Sequence, residues 1–143
     1  MNRGLVPVIA IAAGLVLGPL SDLVQGHEVT SGNLVIEHPR LIVHSDDAAS
    51  GLVIATIANR GENAEILESV RCAANDCSPG EDEPIATIPA EREARLGPDG
   101  VTVRLTDLVG PHFEETMVRL LFSFADAGEV TADAIVQIRP PGD

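Results

Sequence analysis

The chain has 143 residues and a formal net charge of −13, because 22 acidic side chains stand against 9 basic ones, all of them arginine. This length suits one domain. The negative charge argues against a nucleic-acid partner, whose phosphates attract Lys and Arg, and the absence of Trp and Tyr removes rings on which bases could stack. An acidic surface is compatible with cationic partners or with the capture of metal cations.

Residues 1–26 have the pattern of a secretory signal peptide, which we expect to form a helix before the β-domain. A single positive charge precedes an almost wholly apolar run from Leu5 to Leu20, and small residues follow it. The run of about 16 residues is shorter than the ~20 that a membrane-spanning helix needs. Cleavage after Gly26 would leave a domain of residues 27–143 that starts at His27 and has no membrane segment; an uncleaved anchor is the alternative. The sequence therefore predicts a periplasmic or secreted protein.

The first strand pattern of the mature chain runs from Gly32 to Glu37, and we expect it to stop at Pro39. Leu41 to Val43 resumes an extended segment. From Gly51 to Ser69, two apolar runs flank the polar turn at Asn59 to Asn63, which predicts a β-hairpin. Because an isolated hairpin is marginal in water, the rest of the chain must supply a sheet that covers it.

Strand patterns also dominate the second half of the chain. Pro84 to Pro89 is a short strand bounded by prolines, which suits a sheet edge, and Glu91 to Arg95 could start a short helix. Three further strands are predicted at Val101–Leu105, Met117–Phe124 and Val130–Ile138, with Met117 filling the core. This even spacing predicts an all-β sandwich or barrel.

Two cysteines, Cys72 and Cys77, flank a short segment that contains the turn-forming pair Asn75-Asp76. Outside the cytoplasm two nearby thiols usually oxidise, so a local disulfide is the first interpretation. A thiolate metal pair is the alternative, although CxxxxC lacks a second ligand pair of matching spacing.

Histidines near the start of the mature chain are candidate metal ligands. As the first residue, His27 would offer its α-amine and an imidazole nitrogen, a chelating pair that Cu(II) accepts. A third nitrogen would come from His38 or His44, for which structural roles are the alternative. The chain has no GxSxG, HExxH or phosphate-loop motif and no Lys, so no enzymatic activity is predicted.

Several stretches occur in an order and spacing that resemble the PCu(A)C-type periplasmic copper chaperones over nearly all of the mature chain. They are His27, Gly32-x-Leu34-x-Ile36-x-His38-Pro39, Ile57-x-Asn59-x-Gly61, Ile88-Pro89-Ala90, Leu96-x-Pro98-x-Gly100, and Leu121 with Phe124 and Ala127-Gly128-Glu129-Val130. The resemblance implies a cupredoxin-like Greek-key β-sandwich. It also implies copper as the cofactor, and as partner a copper-receiving protein or an oxidase assembly factor.

The same resemblance implies that the usual Cu(I) site is degenerate. The family holds Cu(I) with two His and two Met, and its HxM pair corresponds here to Thr102 and Arg104. Its other pair falls in the stretch that here runs from Cys72 to Glu83 and contains neither His nor Met. Since soft Cu(I) favours sulfur ligands, a metal-free interaction module without a cofactor is the alternative function.

Overall fold

The structure, a computed structural model, describes residues 28–80 and 84–140, so the predicted signal helix and His27 lie outside the described residues. The described ranges contain ten β-strands and no helix, and hence none that could span a membrane. The strands are β1 (Val29–Ser31), β2 (Leu34–His44), β3 (Asp47–Asn59), β4 (Glu65–Cys72), β5 (Ser78–Pro79), β6 (Ala86–Ile88), β7 (Glu93–Leu96), β8 (Arg104–Thr106), β9 (Met117–Phe124) and β10 (Gly128–Arg139). The predicted all-β class is confirmed.

The strands form one sheet in the order β5-β8-β3-β2-β10-β9-β4-β6, with β1 on β2 and β7 on β3. Only the β10–β2 pair is parallel among these described strands. The sheet curls until β4 contacts β5 and β6 contacts β7. One apolar core fills the space between the two halves, and it includes the fully buried Ile36, Ile57, Leu120 and Phe122.

The prediction of a β-hairpin from Gly51 to Ser69 is wrong. Both of its strands exist, as β3 and β4, but β2, β10 and β9 lie between them in the sheet. Residues 60–64 therefore carry the chain from one half of the sheet to the other. β3 finds its partners in β2, β7 and β8, which hydrophobic periodicity along β3 alone does not reveal.

Strand β2 does not stop at Pro39, as the sequence suggested, but continues to His44 through a β-bulge. The register with β3 shifts between Glu37 and Arg40, and His38 in the bulge has a φ of 51°. A bulge leaves its extra residue outside the hydrogen-bond ladder, so a proline is tolerated there. The bulge leaves the His38 side chain exposed while the rest of β2 stays paired.

Two smaller expectations are also wrong. The segment from Glu91 to Arg95 does not start a helix, because β7 begins at Glu93 and pairs with β3, with Arg95 opposite Thr56. Met117 does not fill the core: it opens β9 with about half of its surface exposed (51%).

Two buried polar side chains, Asn59 and Glu65, flank the crossover between the halves. The amide nitrogen of Asn59 donates to the carbonyls of Asn63 (2.8 Å) and Ile88 (3.0 Å), and its amide oxygen accepts from the backbone N–H of Gly61 (3.0 Å). These bonds fix the turn and tie it to β6. They give a structural reason for the Asn59-x-Gly61 pair.

The carboxylate of Glu65 joins the crossover to the turn between β9 and β10. It accepts hydrogen bonds from the backbone N–H groups of Ile66 (2.9 Å), Asp126 (3.0 Å) and Ala127 (2.9 Å). Burial alone would raise the pKa of Glu65, but these three donors outweigh it, so its pKa is lowered. The ionised form is therefore the one that the fold stabilises.

We expect Glu65→Gln to lower the free energy of unfolding at pH 7 by about 2 kcal/mol, because an amide cannot accept all three charge-assisted bonds. A carboxyl with a lowered folded-state pKa contributes stability above its unfolded pKa of about 4.3, and this contribution is lost as pH falls through the folded value. The difference between wild type and variant should therefore shrink below about pH 4.

Urea denaturation between pH 3 and 7 measures this difference. Glu68→Gln is the matched control, since Glu68 lies exposed on the same strand. An equal loss of stability in both variants, or a difference that does not change with pH, would contradict the role given to Glu65.

Candidate functional site

One continuous outer face is built by β8, β3, β2 and β10. A row of directly opposed residues crosses it, namely Arg104, Leu52, Ile42 and Gln137. Because side chains alternate along a strand, the neighbours Leu41, Val53, Leu105 and Val136 point the other way and are fully buried in the core. Polar and basic side chains of these strands are thus gathered on the side away from the core.

This face carries a groove with a volume of about 520 Å³. Both described candidate ligands, His38 and His44, line it, together with Arg40, Arg95 and Arg139. Sequence reasoning missed these three arginines. The only local sign of them is the alternation Arg40, Ile42, His44 along β2, which places those side chains on one face.

The two histidines lie at opposite ends of the groove-facing part of β2. They are six residues apart, which at about 3.3 Å per residue, less the bulge, separates their Cα atoms by roughly 15–20 Å. Ligands of one ion place their nitrogens about 2 Å from it. The structure therefore does not bring His38 and His44 together at a single ion.

The surroundings of the two histidines also differ. His38 is exposed on the bulge, whereas half-buried His44 ends β2 opposite Asp47 of β3 and Arg139 of β10. His44 shares a small cavity of about 30 Å³ with Asp47 and Arg104. Thus His44 lies beside Arg104, one of the two positions that the resemblance aligned with the HxM pair, although the two residues are far apart in the sequence.

Those positions, Thr102 and Arg104, are both exposed and flank the buried Val103. Next to them the chain returns from Cys77 along β5, and the backbone N–H of Gly80 donates to the carbonyl of Arg104 (2.9 Å). A Cβ on Gly80 would lie 2.5 Å from that carbonyl oxygen, so only glycine permits this approach. The two segments to which the sequence resemblance assigns the ligand pairs are therefore adjacent in this chain, at Gly80 and Arg104.

The expected disulfide between Cys72 and Cys77 is formed, with an S–S distance of 2.10 Å and a Cα–Cα distance of 5.2 Å. Both cysteines are buried, and neither is free to act as a thiolate ligand. The closed loop is held against the chain after β8, because the backbone N–H of Val109 donates to the carbonyl of Asp76 (2.9 Å). The disulfide thus anchors the segment that leads to Gly80.

Within residues 28–80 and 84–140, no group of three or more His, Cys, Asp or Glu side chains is placed to hold a metal ion. His27 lies outside those ranges. Among described residues, the start of β1 lies near His38, because Val29 pairs with Ile36 on β2, two residues before that histidine.

No family model and no curated protein matches the chain, but solved structures do. The copper-bound PCuAC domain from PmoF2 is 25% identical, with 78% of this chain and 98% of that one covered and a TM-score of 0.67. The apo PCuAC domain from PmoF1 is 25% identical, with 78% and 99% covered and a TM-score of 0.69. The solution structure of apo-DR1885 from Deinococcus radiodurans is 14% identical, with 78% and 83% covered and a TM-score of 0.55, and shares the fold. These likenesses confirm the resemblance that the sequence motifs indicated.

We expect the double variant Cys72→Ala/Cys77→Ala to lose about 2 kcal/mol of unfolding free energy, since the disulfide closes a short loop whose freedom in the unfolded chain it removes. Thermal or urea denaturation of oxidised wild type, dithiothreitol-treated wild type and the variant measures the effect. The variant also provides the control for the reductant: it has no disulfide, so dithiothreitol should not change its free energy of unfolding. A wild type equally stable with and without the reductant would contradict the expectation.

Proposed function

Because the chain is a domain of the PCuAC type, we propose that it is a copper-chaperone-like protein, without enzymatic activity, that takes part in copper handling or delivery in the periplasm or outside the cell. The similar domain from PmoF2 is copper-bound, which supports copper as the cargo. A buried disulfide suits an oxidising compartment. The receiving partner would be a second copper protein, such as an oxidase assembly factor.

In this proposal the family's Cu(I) site is degenerate. Thr102 offers only a hydroxyl, and Arg104 carries a permanent positive charge and no lone pair for a metal. The adjacent segment contributes no thiolate, because Cys72 and Cys77 are joined to each other. Cu(I) prefers sulfur ligands, so we expect it to bind weakly at this edge of the sheet.

We propose instead that copper binds as Cu(II) at the mature N-terminus, through the α-amine and imidazole of His27 with His38 as a third nitrogen ligand. The observation that carries this choice is the pairing of Val29 with Ile36, which starts the described chain close to the exposed His38. His44 is the weaker candidate, because it lies several residues further along β2, beside Arg139 and Arg104.

Isothermal titration with Cu(II) of the chain that begins at His27 tests the proposal. We expect one saturable site, and a loss of affinity of about tenfold or more in His27→Ala and in His38→Ala, because each removes one nitrogen ligand. His44→Ala is the matched control and should bind as the wild type does.

An added N-terminal residue, which moves the α-amine away from His27, should also weaken binding. The absence of saturable Cu(II) binding in the wild type would end the metal proposal and favour the metal-free interaction module. Equal losses in His38→Ala and His44→Ala would contradict the assignment of the third ligand.

The double variant Thr102→His/Arg104→Met tests the degenerate Cu(I) site. Both positions are exposed next to Gly80, so we expect the new His and Met to raise Cu(I) affinity by about tenfold or more over wild type. Competition with a chromophoric Cu(I) chelator under anaerobic conditions measures this. Arg119→Met, at an exposed position of β9, is the control, and an equal gain there would show that a surface methionine alone accounts for the effect.

A further inference from the structure

The groove on the outer face reverses the charge balance of the chain. Over the whole sequence acidic residues outnumber basic ones, 22 to 9. The lining of the groove contains three arginines and only two acidic residues, Glu37 and Asp99. A basic groove on such an acidic chain attracts anions to one place while the rest of the surface repels them.

Two of these arginines, Arg40 and Arg139, lie on the adjacent strands β2 and β10, four register positions apart, and the side chain of Arg40 extends toward Arg139. Arg40 sits opposite Ile135 of β10 and donates to the side-chain oxygen of Gln137 (3.4 Å), and Arg139 sits opposite His44. Within residues 28–80 and 84–140 the ion pairs are Arg71 with Glu129 and Arg119 with Asp133, both away from this groove. Neither Arg40 nor Arg139 therefore forms an ion pair with a carboxylate of the described residues.

Apolar side chains form the floor between the ends of the groove. Ile42, Leu52 and Ile54 line it from β2 and β3. The turn at 97–100 forms one wall and packs on this floor, since a Cβ on Gly97 would lie 3.1 Å from Cδ1 of Ile54. The groove thus combines a hydrocarbon surface from β2 and β3 with two guanidinium groups from β2 and β10.

We propose that this groove binds a small amphiphilic organic carboxylate, with the carboxylate between Arg40 and Arg139 and the hydrocarbon part over Ile42, Leu52 and Ile54. A guanidinium matches a carboxylate through paired charge-assisted hydrogen bonds. The volume of about 520 Å³ lies in the range of small-molecule sites, about 300–1,000 Å³.

Each part of the groove favours an amphiphilic carboxylate over a simpler ligand. A neutral hydrocarbon would leave both guanidinium groups without a counter-charge, and a short anion would leave the apolar floor in contact with water. Only a ligand with both parts uses the whole surface. His38, the proposed third copper ligand, also lines the groove. The proposed carboxylate contacts, however, involve neither His38 nor His27, nor the Thr102 and Arg104 positions.

Titration calorimetry of the EDTA-treated protein with sodium decanoate, below its micelle concentration, tests the proposal. We expect one saturable site per chain, and binding at least about tenfold weaker for butyrate, which lacks the tail, and for decanol, which lacks the charge. Binding of decanoate should weaken as the NaCl concentration is raised, because the groove is open to solvent and salt screens the attraction between the arginines and the carboxylate.

Two double variants locate the site. Arg40→Gln/Arg139→Gln should weaken decanoate binding by about tenfold or more. Arg71→Gln/Arg119→Gln removes two arginines from the other half of the sheet and should leave the affinity unchanged. In the wild type, addition of decanoate should change the NMR chemical shifts of backbone amides in β2, β3 and β10. Absent saturable binding, equal affinity for decanol, or an unchanged affinity in Arg40→Gln/Arg139→Gln would each overturn the proposal, whatever the outcome of the copper titrations.

Discussion

The parallel pairing of β10 with β2 is the contact on which the whole fold depends. It joins the group β5-β8-β3-β2 to the group β10-β9-β4-β6 along the path of the sheet. Its strands also supply central core residues, since Leu41, Val43 and Val136 are at most 1% exposed. Because β2 lies near the start of the described chain and β10 at its end, forming this pair closes a long loop of chain. The core is therefore complete only when the last strand has docked.

The same pairing creates the outer groove. Opposite β2 it places Gln137 against Ile42 and Arg139 against His44, on the side that faces away from the core. His38 lies in the bulge, six residues before His44, so the exposed histidine and the half-buried one are far apart on one strand. The fold thus separates two histidines that the sequence analysis offered as candidate ligands of one ion. The proposed metal ligand His38 and the proposed anion-binding residues Arg40 and Arg139 lie on one face because β2 and β10 together carry all three.

The local sequence pattern predicts a strand correctly where the residues of that strand determine its conformation. It fails where a partner strand that is distant in the sequence determines the conformation or the pairing. The bounds of β9, Met117–Phe124, follow from its apolar run, whereas the position of Met117 at the exposed end of that strand does not. Glu93 to Leu96 is a strand because β3 supplies hydrogen-bond partners for it, against a weak helical composition. The prediction of a β3–β4 hairpin was wrong for the same reason. Strands adjacent in the sequence often pair, but here β3 belongs to one half of the sheet and β4 to the other. No local signal connects Arg40, Arg95 and Arg139, so the groove could not be predicted.

At the edge that carries Thr102 and Arg104, the described contacts that position the chain do not use the side chains at 102 and 104. The approach of Gly80 to the carbonyl of Arg104 is a backbone contact, and the Cys72–Cys77 disulfide and the bond from Val109 to Asp76 hold the same segment from its other end. Many small metal-binding domains obtain folding free energy from the ion itself. Here the described contacts that keep the two segments together involve main-chain groups and a covalent bond, which do not depend on the side chains at 102 and 104. Substituting those side chains therefore alters what this edge can bind without removing what positions it.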